Sequence, residues 1–417
     1  MHTIVHNHMR LAVFGAALLL LASCARDSGG PAPVYHAEGY PENLSDWRLM
    51  TASDGVLRLS PGVIPYDLAT PLFSDYALKL RTVTLPKGEA AAYDAADAFS
   101  FPVGAIISKT FYYRQAGDEW SGEVAIGQEP AMAGAVMPIK GFRLVETRLL
   151  VHRAEGWVAI PYVWNEEQTD AVLRRTGEVK KLVLQRPNGR EEPFSYLVPN
   201  QNQCAGCHVT NNTTRVLSPI GLKARHLNKP STFTPGVNQL DHWVLAGMLT
   251  IPSPSGGKGA GGEGAPGNSD ELTPPHPASA DAESALSRAR ERAIPRNASW
   301  TDETESLDAR ARAYLDANCS HCHSNVGPAD TSGLDLRPDV PFGPSYGACK
   351  STIAAGAGSG GRLYDIVPGK PEESIFVYRM ETTKPGAMMP ELGRAVAHEE
   401  GVALIAEWIA AMEGGCG

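Results

Sequence analysis

The residues with the most chemistry to offer sit in two short stretches, Cys204-Ala-Gly-Cys207-His208 and Cys319-Ser-His-Cys322-His323. Each reads C-x-x-C-H, the spacing by which a chain takes up c-type haem. Cys204 with Cys207, and again Cys319 with Cys322, supply two thiols for the two vinyl groups of a porphyrin, while His208 and His323 supply an imidazole for its iron. Because three residues close one loop, the turn that anchors the ring also brings a ligand to its metal. With 12 His among 417 residues, a His directly after both pairs arises by chance in roughly one chain in a thousand. Two covalently attached haem c groups, with iron at their centres, are therefore expected. One zinc held by four Cys is the competing reading, but Cys204 and Cys319 lie 115 positions apart, whereas zinc ribbons separate their pairs by about 15–20. A thioredoxin-like redox pair needs a βαβ setting, which neither motif has.

The elements that must position these loops differ along the chain. Residues 41–195 hold no Cys and read as an antiparallel β-rich domain. Pro102 to Tyr113, Arg143 to His152 and Trp157 to Trp164 combine β-branched and aromatic residues with partial alternation, and Leu182 to Arg190 reads as a strand entering a turn. The adjacent carboxylates Glu166 and Glu167 face opposite sides of a strand and suit a solvated edge better than acid–base work. His152, without a partner in sequence, suits surface or packing.

Residues 196–251 form the first haem region. Here Pro199 and a run of Asn and Gln stand where a leading helix is usual. Helical spacing returns over Asn238 to Leu249. Met248, His226 and His242 are candidates for the sixth iron ligand, and an open site is the alternative. Residues 252–299 turn to Gly, Pro and Ser and read as a flexible insert, with His276 and Lys258 given no role and a short charged helix over 280–292. Residues 300–417 contain the second motif between two amphipathic helices, Asp302 to Ala317 and Glu399 to Met412. The remaining thiols, Cys349 and Cys416, form a disulfide in an oxidising compartment or stay free.

Composition sets outer bounds. A chain with 43% hydrophobic and 20% charged residues has room for two or three domains. Its net charge of −9 argues against nucleic acid and suits basic redox partners. No nucleotide loop or hydrolase signature is present. Residues 1–23 read as an export leader, with a weakly basic start and an apolar run from Leu11 to Ser23 too short to span a bilayer.

Two resemblances extend these readings. Leu21-Ala-Ser-Cys24 resembles the lipobox of bacterial lipoproteins, which implies lipidation at Cys24 and a tether over residues 24–40; an ordinary leader with an incidental Cys is the alternative. Ala25, where Asp would imply inner-membrane retention, implies anchoring to the outer membrane. Residues 300–417 resemble a class I cytochrome c domain: helix, C-x-x-C-H, a long irregular stretch, Met389-Pro390 and a closing helix. That resemblance implies Met389 as the second axial ligand, with Met388 as runner-up and packing as the alternative.

Beyond those two, the stretches Pro65 to Arg81, Val198 to His208, Arg310 to His323, Tyr364 to Pro371 and Met388 to Arg394 are similar to exported di-haem c-type cytochromes of Gram-negative bacteria, a family generally without an assigned role. The implied fold class is α+β multidomain: the β-rich domain, then mostly α-helical haem regions. The cytochrome-like unit over residues 300–417 makes a periplasmic, membrane-anchored cytochrome passing single electrons between redox partner proteins the leading expectation of function. A di-haem peroxidase-like enzyme and an electron-accepting subunit of a periplasmic dehydrogenase are the alternatives.

Overall fold

The computed structural model describes residues 30–251, 294–353 and 355–417. The strands run in order β1 (Met50–Ser53), β2 (Val56–Leu59), β3 (Ile64–Tyr66), β4 (Leu78–Thr84), β5 (Ala91–Ala92), β6 (Ile106–Gln115), β7 (Glu123–Ala125), β8 (Val136–Pro138), β9 (Phe142–Arg153), β10 (Gly156–Trp164), β11 (Ala171–Leu173), β12 (Glu178–Gln185) and β13 (Glu191–Val198). Beyond them lie α1 (Ala205–His208), α2 (Ala224–Leu227), α3 (Gln239–Leu245), β14 (Leu249–Thr250), α4 (Leu307–Asn318), α5 (Ile375–Glu381) and α6 (Glu399–Ala410).

A nine-stranded sheet dominates. Its path is β11-β10-β9-β6-β7-β12-β13, with β4 also paired to β6 and carrying β3. The pairings are antiparallel except β7 with β12, and a register shift at Phe111/Tyr112 in β6 locally increases bend and twist. Its strands β4, β6, β9 and β10 are buried on both faces, because alternate side chains go to different cores. Leu80, Ile106, Leu149, Val151, Ile160 and Tyr162 join one cluster with Trp47 and Leu57, beneath the small β1-β2-β8 sheet. Val83, Ile107, Leu150 and Ala159 join another, with Leu222, Leu240 and Trp243 from the segment after β13.

The expected fold class is overturned. Strands take 27% of the residues and helices 18%, and the architecture is mostly β, a curled half-barrel, without helical haem regions. Proline and glycine explain the shortfall. Pro199, Pro219, Pro230 and Pro235 divide the segment after β13, so its helices reach only four to seven residues. From Ser324 to Ser374 the chain forms 3-10 turns and loops but no α-helix among its described residues. Helix α4 begins at Leu307 rather than Asp302 because Ser306 caps it, its hydroxyl accepting from the Ala309 N–H at 3.2 Å. Residues 294–299, expected to belong to the insert, are packed: Asn228 donates to the Ile294 carbonyl, and Asn297 N–H donates to that of Arg225. The rest of the insert, with Lys258, His276 and the helix expected over 280–292, lies outside the described residues, as do the leader and Cys24.

Candidate functional site

Each motif sits where a regular element ends. After β13, Pro199 stops the ladder, and Asn200 and Gln203 bond reciprocally, side chain to backbone, at 2.9 Å each. This turn sets Cys204 at the start of the one-turn helix α1. The second motif comes directly after α4, Cys319 being its C-terminal cap. Asp316, in the last turn of α4, fixes the start of this loop: it accepts from Arg225 Nε and Nη2 at 2.7 and 2.9 Å, from Asn297 at 2.7 Å and from the Ser320 hydroxyl at 2.8 Å.

The two loops meet. The Cys322 thiol lies 3.5 Å from the Gly206 carbonyl, which it can donate to, and Asn212 N–H donates to the Val326 carbonyl at 2.7 Å. Motifs 115 positions apart in sequence therefore share one site region.

Both motif histidines have one ring nitrogen engaged. His208 Nδ1 lies 2.8 Å from the Ser218 carbonyl, which can only accept, so Nδ1 carries the proton. His323 Nδ1 lies 3.1 Å from the Ser332 hydroxyl, whose own proton goes to the Ala329 carbonyl. In both rings the lone pair is left on Nε2, the arrangement of a metal-ligating histidine with its outer support. Burial holds both imidazoles neutral, near a pKa of about 4; Lys109 adds to the effect at His208, and Arg379 and Lys350 do so at His323. Burial likewise raises all four thiols, to about 12 for Cys319 and Cys322. They are protonated thiols, suited to addition across a vinyl group and unlike the activated thiolate of a redox pair.

Beside His323 lies a cavity of about 280 Å³ walled by Leu315, Leu336, Ile375 and Phe376, with Cys319 and Met389 at its edge. Met389, and not Met388, lines it. Beside His208 the free space forms two lobes of about 70 and 80 Å³, which share His208, Lys109, Arg148, Leu150 and His321; the lobe of 80 Å³ also contains Cys204 and Cys207. Lys109 and Arg148 line both lobes and lie over the ring of Phe111, Lys109 Nζ at 5.7 Å and the Arg148 guanidinium at 4.2 Å.

The floor of this cleft is a cationic row. Arg81, Lys109 and Arg148 are register partners across β4, β6 and β9. Arg148 pairs with Glu146 at 2.6 Å, and Arg81 faces Asp67 at 3.7 Å. Lys109 has no hydrogen-bond or ion-pair partner among the described residues, and burial together with Arg81 and Arg148 pushes its pKa down to about 7. A cation so placed calls for an anionic ligand. The residues therefore fit a c-type haem, whose propionates are carboxylates. Sequence reading missed this row, although a Lys and an Arg inside apolar strand runs were its signal.

The candidates for a sixth ligand separate cleanly. Met248 packs in the core and lines neither lobe. His242 holds Thr234 through Nδ1 at 2.8 Å and faces a different cavity. His226 reaches the cleft, but its ring is held by Asp316 at 3.6 Å and Asn297 at 3.4 Å. His321, inside the second motif, was not singled out by spacing. Glu166 is an exposed partner of Arg143, and His152 stacks on Trp157 at 4.6 Å. Cys349 and Cys416 are joined by a disulfide.

Among the described residues no group of three or more His, Cys, Asp or Glu is arranged to hold a metal ion. A haem iron asks less, since the porphyrin provides four of its ligands. No helix of the described residues is long and apolar enough to cross a membrane. Comparison with known proteins gives no matching family model, no matching curated protein and no matching solved structure.

Proposed function

We propose that the chain is an exported di-haem c-type cytochrome that moves single electrons between redox partner proteins. The observation that carries this reading is the common state of the two motif histidines: each has Nδ1 hydrogen-bonded and the Nε2 lone pair free, next to its own pair of protonated thiols. Covalently bound haem would supply a one-electron ferric/ferrous couple, which none of the twenty side chains provides near His208 or His323.

The chain's own residues supply the rest. Cys204, Cys207, Cys319 and Cys322 tether the two rings; His208, His323 and Met389 offer ligands. Lys109 and Arg148 would offer charge to the carboxylates of the first ring, and around His323 the apolar Leu315, Leu336, Ile375 and Phe376 stand beside the charged Lys350, Asp365 and Arg379. The contact between Cys322 and Gly206 holds the two motifs side by side, so that groups held by them would be neighbours. Export agrees with the Cys349–Cys416 disulfide, since such bonds persist in oxidising compartments, and a lipid on Cys24 would hold the protein at the outer membrane.

Pyridine haemochrome analysis of the purified mature protein tests the reading. Two haems per chain are expected, falling to one in Cys204→Ser/Cys207→Ser and in Cys319→Ser/Cys322→Ser. A chain matured in a host competent for c-type cytochromes that carries no covalent haem would overturn it.

A further inference from the structure

His321 stands out once the motifs are in place. It belongs to the second C-x-x-C-H loop, between Cys319 and Cys322, yet it lines both lobes of the cleft that contains His208. Only 8% of its surface is exposed, and its ring makes no hydrogen bond among the described residues. Its ring nitrogens are not among the sealed, unpartnered polar atoms of the described residues, so they open onto the cleft, where a bound group can take the bond that the protein leaves unmade. His226, the other histidine of this cleft, is already held by Asp316 and Asn297.

We infer that His321 is the sixth ligand of the first haem iron, so that the second motif completes the site of the first. The contact between Cys322 and the Gly206 carbonyl keeps the His321 loop against the first motif, and the Ser320 hydroxyl, bonded to both the carbonyl and the carboxylate of Asp316, fixes it from the other side. The first iron then has two imidazole ligands, from His208 and His321, and the second has an imidazole and a thioether, from His323 and Met389. Two imidazoles place the first couple at lower potential than the second.

The inference rests on the di-haem reading, and haem counting separates the two: no covalent haem removes both, whereas two haems with an inert His321 removes this inference alone. The test is near-infrared magnetic circular dichroism of the ferric protein together with carbon monoxide titration of the reduced protein. The natural chain is expected to give one bis-imidazole and one imidazole–thioether signal and to bind no carbon monoxide. His321→Ala is expected to keep two haems and to make half of them reactive, whereas His226→Ala leaves both inert. If the Ala variant does not accumulate, His321→Met is expected to replace the bis-imidazole signal with a second imidazole–thioether one. A natural protein with one haem already open to carbon monoxide, or a bis-imidazole signal that survives in His321→Met, would overturn it.

Discussion

At the scale of single residues, Asp75 is a carboxyl that the fold holds at some cost. It lies in the left-handed region, φ 49°, with Tyr76 next at φ 60°, and its Oδ1 accepts from the backbone N–H groups of Ala395 and Val396 at 2.6 and 2.9 Å. Burial raises its pKa to about 6, outweighing those two bonds and the nearby Arg394 and Lys79. The folded value is above the unfolded one, so the folded state prefers the neutral acid. Its contribution is complete below pH ~4 and is lost as pH rises through about 6. Asn tolerates left-handed backbone and still offers an acceptor oxygen. Asp75→Asn is thus expected to match the natural protein at pH 4 and to exceed it by about 1–3 kcal/mol at pH 7.5, read from urea unfolding at the two pH values; equal stabilities at both would remove this account. Asp316 is the opposite case. Although burial acts to raise it, the hydrogen bonds from Arg225, the charge of His226 and the bond from Asn297 hold it well below the carboxylate range. Removing it strands a buried guanidinium, so Asp316→Ala is expected to cost about 3–5 kcal/mol and to lower Tm sharply, where a surface substitution such as Asp302→Ala would not.

At the scale of elements, what could be read in advance depended on how local the cause was. The strand runs around Ile106, Val145 and Ile160 and the helices around Leu315 and Ile405 were legible, because burial of one face imposes a period on the sequence. Helix lengths between β13 and β14 were not, since the proline spacing left room only for helices of four to seven residues. The cationic row shows the limit more sharply. Arg81, Lys109 and Arg148 come from three strands, and only the β4-β6-β9 register makes them neighbours. His321 was hidden for a similar reason: its position is set by the packing of one motif on the other. The Cys349–Cys416 disulfide belongs to this scale as well. It ties the last residues, beyond α6, to the loop before α5, across 67 positions of chain. Loop-closure entropy at that length gives a stabilisation of up to about 4 kcal/mol. Cys349→Ser/Cys416→Ser is accordingly expected to lower Tm while leaving the haem count at two, and a Tm unchanged by the double substitution or by reduction would count against a stabilising role.

At the scale of the whole molecule, the expected division at residue 300 meets a run of contacts that cross it. Pro65 to Arg81 works as a clamp on the C-terminal part. The Thr70 hydroxyl accepts from the Trp300 N–H at 3.1 Å, Phe73 N–H donates to Asn318 at 2.8 Å, and the Tyr76 hydroxyl donates to Glu400 at 2.6 Å. Phe73 stacks on His398 with ring centres 4.2 Å apart, and Trp300 and Tyr314 close around the same imidazole. The buried Arg225–Asp316 pair joins α2 to α4. A C-terminal fragment cut at residue 294 would expose all of these faces at once, including the carboxylate of Asp316 with its guanidinium gone, a loss of several kcal/mol against a total stability of about 5–15. The fragment 294–417 is therefore expected to be protease-sensitive and to unfold without a cooperative transition, while the full chain loses near-ultraviolet and far-ultraviolet dichroism together in one step. If the fragment instead took up one haem and melted cooperatively near the Tm of the full chain, the clamp would be a docking contact between independent domains, and the close approach of the two motifs would have to be understood as the meeting of two separately folded units.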